Sequence, residues 1–182
     1  MAYKFSKGER EFGDIEFEDD ADGNTKINFE EDYIALQTGG NNALVVSGSS
    51  VGIGTANPTA TLTLGGSLAL NVTYLNAGND PGNTYSVGSD DCVILINTRP
   101  SAQGGINSTL TLTLPDAGAN PGRVIVIKDA AGYSNVNSIV INVSSGDNIG
   151  GNPSVTSISL PSADSFKQMI SDGADSWYEI GN

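Results

Sequence analysis

The sequence predicts an all-β protein. Three observations carry that expectation. Apolar residues recur with a period of two almost everywhere, Gly, Asn, Pro and Ser interrupt the runs every few residues, and few stretches hold a helical period. The one weak helical pattern, over residues 163–170, reads instead as a turn followed by a strand.

Composition bounds what those strands can build. A chain of 182 residues is long enough for one or two domains. Its apolar fraction of 38% is low for a self-sufficient globule, so part of the core is expected to be completed by other chains. The formal charge of −13 repels phosphate backbones and anionic membranes, so neither nucleic acid nor membrane is an expected partner. Eleven of the 21 acidic residues lie within the first 36 positions, and no Lys or Arg occurs from Ile27 to Thr98. This asymmetry predicts a charged N-terminal segment followed by a neutral β region.

Residues 1–36 form the first expected segment. Ile15 and Phe17, then Ile27 and Phe29, alternate with polar neighbours, and Asp22-Gly23-Asn24 between them reads as a hairpin turn. A lone two-stranded hairpin is marginal in water. Its apolar face therefore needs another surface, either a sister chain or a shell protein. Phe12, Ile15, Phe17, Ile27 and Phe29 are the expected anchor contacts.

Residues 37–75 form the second. Ala43-Leu44-Val45-Val46, Thr61-Leu62-Thr63-Leu64 and Leu68-Ala69-Leu70 are short alternating runs. Gly-rich corners separate them, among them Gly39-Gly40-Asn41-Asn42 and Gly52-Ile53-Gly54-Thr55. Strands of about four residues offer two inward side chains each, too few for a core. Three copies around an axis supply one, which predicts an intertwined, trimerising β stem. Leu44, Val46, Val51, Ile53, Leu62 and Leu64 are expected to line that axis.

Residues 76–182 form the third, a compact β-sandwich or jelly-roll-like knob. Strands are expected at 84–87, 92–97, 108–114, 123–128, 138–143, 155–160, 166–170 and 176–180. Strict alternation from Thr109 to Leu114 predicts inward leucines and outward threonines. The run Val124-Ile125-Val126-Ile127 is apolar on both faces and reads as a central strand. Trp177 and Tyr178 are expected to close the barrel or to meet a sister subunit.

Residues that carry chemistry are sparse. There is no histidine, which removes His-based triads and the usual zinc ligand. Cys92 stands alone in an apolar run and reads as a buried, inert thiol. Gly52-Ile53-Gly54 begins like a dinucleotide loop but lacks the third glycine and a following helix. The acids from Glu18 to Asp22 resemble the start of a calcium loop, but Phe29 stands where the bidentate Glu belongs, so a solvated or partner-facing turn is expected. Asp90 and Asp91 are adjacent and cannot both face one cleft, as paired glycosidase acids must. No catalytic residue, resident metal or cofactor is expected.

Two stretches carry a resemblance. Phe5-Ser6-Lys7-Gly8-Glu9-Arg10-Glu11-Phe12 through Val51-Gly52-Ile53-Gly54-Thr55-Ala56-Asn57-Pro58 is similar to the N-terminal part of fibre and structural proteins of marine and cyanobacterial tailed phages. The run from Val93 to Tyr178, with Leu114-Pro115, Gly122-Arg123, Lys128-Asp129-Ala130-Ala131-Gly132 and Asp175-Ser176-Trp177-Tyr178, resembles β modules of phage fibres. The resemblance implies a homotrimer anchored to a phage capsid or tail protein by its N-terminus, with its C-terminal domain outward. Many such proteins are much longer and end in a self-cleaving chaperone domain or a large receptor-binding tip, which this sequence does not show. The expectation is therefore a virion surface protein, a short trimeric fibre or capsid-decorating spike, assembled in the host cytoplasm. The alternative is a module that binds a host-surface glycan through Tyr74, Tyr85, Tyr133 or Tyr178.

Overall fold

The computed structural model describes residues 15–16, 21–77, 83–100, 102 and 108–182. The chain is all-β and divides into two compact units, residues 1–69 and 70–182.

Unit 1 holds one six-stranded sheet. Its strands are β1 (Ile15–Glu16), β2 (Lys26–Glu30), β3 (Tyr33–Thr38), β4 (Asn41–Ser47), β5 (Ser50–Ile53) and β6 (Leu62–Leu64), and they lie side by side in chain order. All neighbours pair antiparallel except β5 and β6, which are parallel. The β3–β4 turn shows why the corner is glycine. Gly39 and Gly40 both take left-handed φ, 54° and 73°, as the tight two-residue turn matching strand twist requires. The expected division at residue 36 falls inside β3, and the sheet runs through it. The run Leu68-Ala69-Leu70 is not a strand, and Leu68 and Leu70 are exposed.

Unit 2 places two sheets across one core. Its strands are β7 (Val72–Asn76), β8 (Thr84–Ser86), β9 (Val93–Asn97), β10 (Leu110–Thr113), β11 (Val124–Asp129), β12 (Ile139–Asn142), β13 (Asn148–Ile149), β14 (Ser157–Ser159), β15 (Phe166–Ser171) and β16 (Ser176–Gly181). The chain alternates between sheets. β7, β9 and β11 are parallel neighbours in one; β8, β10 and β12 are parallel neighbours in the other. Each parallel crossover thus runs through a strand of the facing sheet, and no α-helix occurs among the described residues. β14 then pairs antiparallel with β12, β15 with β11 and β16 with β15, while β13 lies parallel to β16. The eight expected strands of this unit all form, within a few residues of the expected ends. Their pairing is not that of a jelly roll, whose strands are antiparallel.

The core follows from alternation. Leu110 and Leu112 on β10 and Ile139 and Ile141 on β12 face Ile94, Ile96, Ile125, Ile127 and Met169 of the other sheet, all fully buried. β11 sits between β9 and β15, a central strand. Trp177 is fully buried in the same core, and its indole N–H donates to the Pro115 carbonyl at 3.0 Å; Tyr178, one residue on, points outward and is exposed. Cys92, expected to be buried, is half-buried.

Two buried carboxylates brace the loops. Asp129 accepts hydrogen bonds from the Thr98 hydroxyl (2.9 Å) and from the backbone N–H groups of Ala131, Gly132, Ser134 and Asp164 (3.1, 3.0, 2.7 and 3.3 Å). Burial raises its pKa, and the bonds from Ser134, Thr98 and Ala131 more than offset that, so it titrates below its ordinary 3.8. Asp91 is held below its ordinary value in the same way. Burial opposes its charge, and bonds from the Thr73 hydroxyl, the Gly88 N–H and the Tyr85 hydroxyl outweigh it, with Arg123 adding to them. The Arg123 guanidinium also donates to the Gly88 and Asp91 carbonyls, so the cluster joins β7, β8 and β11.

Two outcomes follow. Ile127→Ala should lower unfolding stability by about 2–5 kcal/mol, read by urea denaturation through Trp177 fluorescence. Asp129 has a depressed folded pKa, so its stabilisation is present above the ordinary carboxylate pKa and lost as pH falls through the folded one. The melting temperatures of the parent and Asp129→Asn should therefore differ at pH 7 and converge below about pH 4.

Candidate functional site, an exposed apolar sheet face

The functional candidate in unit 1 is a whole sheet face. Directly opposed residues on neighbouring strands share a face, so the register sorts the side chains. One rank reads Ile15, Ile27, Leu36, Leu44, Ile53, Leu64 across the six strands. The next reads Phe29, Ile34, Val46, Val51, Leu62 across five. All eleven are apolar, and together they span about 24 Å at the usual strand spacing.

The opposite face is built differently. It carries Lys26, Asn28, Glu30, Gln37, Asn42, Ser47, Ser50 and Thr63, with Tyr33, Ala35, Val45 and Gly52 among them. The Asn42 side-chain amide donates to the Tyr33 hydroxyl at 3.1 Å and accepts from Gln37 at 2.8 Å. That bond spans the row that holds Ala35 and Val45. These two are the buried apolar residues among the described residues of the unit, both at 0% exposure. Among the described residues the polar face thus holds a small core, and the apolar face holds none. On it Ile15, Phe29, Ile34, Leu36, Ile53, Leu62 and Leu64 are all exposed, from 37% for Leu64 to 59% for Leu62.

The register brings together residues expected in two separate places. Ile15, Ile27 and Phe29, expected as anchor contacts, share this face with Leu44, Val46, Val51, Ile53, Leu62 and Leu64, expected along a trimer axis. Phe12 and Phe17 lie outside the described residues. Ile34 and Leu36 complete the face and were not singled out. Their signal was the alternation of Tyr33-Ile34-Ala35-Leu36-Gln37-Thr38, obscured by the acids just before it.

A shallow hollow of about 360 Å³ opens at one end of the face, lined by Phe29, Ile34 and Val46 with Glu30, Asp32, Tyr33 and Gly48. Among the described residues no group of three or more His, Cys, Asp or Glu is placed to hold a metal ion. Asp90 is exposed and Asp91 buried, so the pair does not share a cleft. Tyr85 is tied to Asp91, whereas Tyr74 and Tyr178 are exposed on unit 2. Chemically, the unit 1 face can do one thing well: lose water against another apolar surface.

The edge strand β6 carries Leu62 and Leu64 and depends on a close backbone approach. A Cβ on Gly65 would lie 2.1 Å from the Gly54 carbonyl oxygen. Gly65→Ala should therefore detach β6. Hydrogen exchange of the β5 and β6 amides should rise at least tenfold while unit 2 amides are unchanged. No family model matches the sequence, and no curated protein matches it.

Proposed function

We propose that the chain is a structural protein of a tailed-phage virion surface, a short homotrimeric fibre or capsid-decorating spike. The supporting observation is the apolar face of unit 1. A sheet with eleven apolar side chains on one side is half of a two-layer structure. Sister chains supply the other layer, and three copies close around an axis with no apolar side chain left in water. The resemblance to phage fibre proteins supports the same oligomer and gives the N-terminal segment its role, attachment to a capsid or tail protein.

The merging of anchor and axis residues on one face sharpens this reading. The face serves the trimer, and attachment belongs to the residues that precede it. A chain lacking residues 1–14 keeps every described strand of unit 1. It should self-associate as the full chain does and be missing from purified particles. Particles that retain the truncated chain would contradict the anchor assignment. The second reading, a host-surface glycan site, is favoured by the exposure of Tyr74 and Tyr178. A glycan array probed with the intact oligomer separates the two readings.

A further inference from the structure

The two outer faces of unit 2 are unlike. The sheet of β8, β10, β12 and β14 points Thr84, Ser86, Thr111, Thr113, Ser157 and Ser159 outward, as a solvent-facing layer should. The other sheet points Val72, Tyr74, Val124, Phe166 and Tyr178 outward, and all five are exposed. Leu95 and Val126 fill the rows between them and are only half-buried. Strands that are apolar on both faces belong to sheets covered on both sides. Among the described residues of unit 2 only one side of this sheet is covered.

The charge pattern says what fits the open side. The chain carries a formal charge of −13, yet no carboxylate stands at an outward position of β7, β9, β11, β15 or β16. Lys128 is the charged residue there; its ammonium is engaged by the Asp129 and Asp164 carbonyls, 2.6 Å from each, and the exposed Asp164 carboxylate lies 4.0 Å from it. Two strongly acidic copies repel over most surfaces and meet with less of that penalty where the strands present no carboxylate and the neighbouring Asp164 is paired with Lys128. The five exposed side chains leave on the order of 500 Å² uncovered, against about 800 Å² per partner in a standard interface. The half-buried rows between them supply more.

We infer that the outer face of β7, β9, β11, β15 and β16 is a second self-association surface, covered by the same face of sister copies. It is a different face from that of unit 1, and the inference does not rest on the proposed trimer seam.

A photo-crosslinking phenylalanine analogue at position 74 of the full chain tests it. Irradiation should give interchain products whose linked peptides come from β7, β9, β11, β15 or β16 of another copy. Links only within one chain, links only to residues 15–64 of a sister chain, or no links would overturn it. As a second measurement, Val72→Glu/Tyr74→Glu should weaken self-association at least tenfold by sedimentation equilibrium, with Trp177 fluorescence unchanged. Unchanged association in that folded variant would overturn it as well. Ile34→Glu reports on the unit 1 seam alone. Indifference to Ile34→Glu alongside a position 74 crosslink would sink the trimer seam and leave this surface standing.

Discussion

Strand alternation forces a sheet to have two faces, and each apolar face must be covered. The rest of this structure depends on how that constraint is met. In unit 2 the two sheets cover one another's inner faces, with Leu110, Leu112, Ile139 and Ile141 against Ile94, Ile96, Ile125 and Ile127. In unit 1 a single sheet buries Ala35 and Val45 on one side and leaves eleven apolar side chains on the other. The proposed assembly is the physical completion of that sheet.

The polar parts of unit 2 serve the same architecture. Crossing repeatedly between sheets needs long connections, and long connections carry backbone N–H groups that must find acceptors. Asp129 collects four of them with the Thr98 hydroxyl, closing the loop after β11. Asp91 and Arg123 do similar work where β7, β8 and β11 approach. Both carboxylates are saturated with donors, which fits a bracing role better than a reactive one.

Much of this was legible in the sequence. The alternation Thr109 to Leu114 located β10 and its inward face, and Asp22-Gly23-Asn24 located the β1–β2 turn. Pairing was not legible, because period two fixes which way side chains point and not which strand lies alongside. The connections held the hint. Antiparallel neighbours are commonly joined by two to five residues, whereas residues 98–109 and 114–123 are long enough to cross between sheets. The division at residue 36 followed a change in charge, but strand pairing follows apolar alternation, and β3 runs through that change. Unit 1 was read as an anchor and a stem because Ile34 and Leu36, the residues joining the two halves of the face, lay beside the acids Glu30, Glu31 and Asp32. The both-sided apolar run of β11 was read as a central strand, which it is. It also signalled that the sheet's outer face needs a cover.

The proposed assembly requires that sister chains complete the exposed face of unit 1. Sedimentation velocity of the purified full chain over a hundredfold dilution measures this most directly. The account predicts one species with three times the 18.7 kDa chain mass, persisting on dilution. A single monodisperse species at the mass of one chain would contradict it.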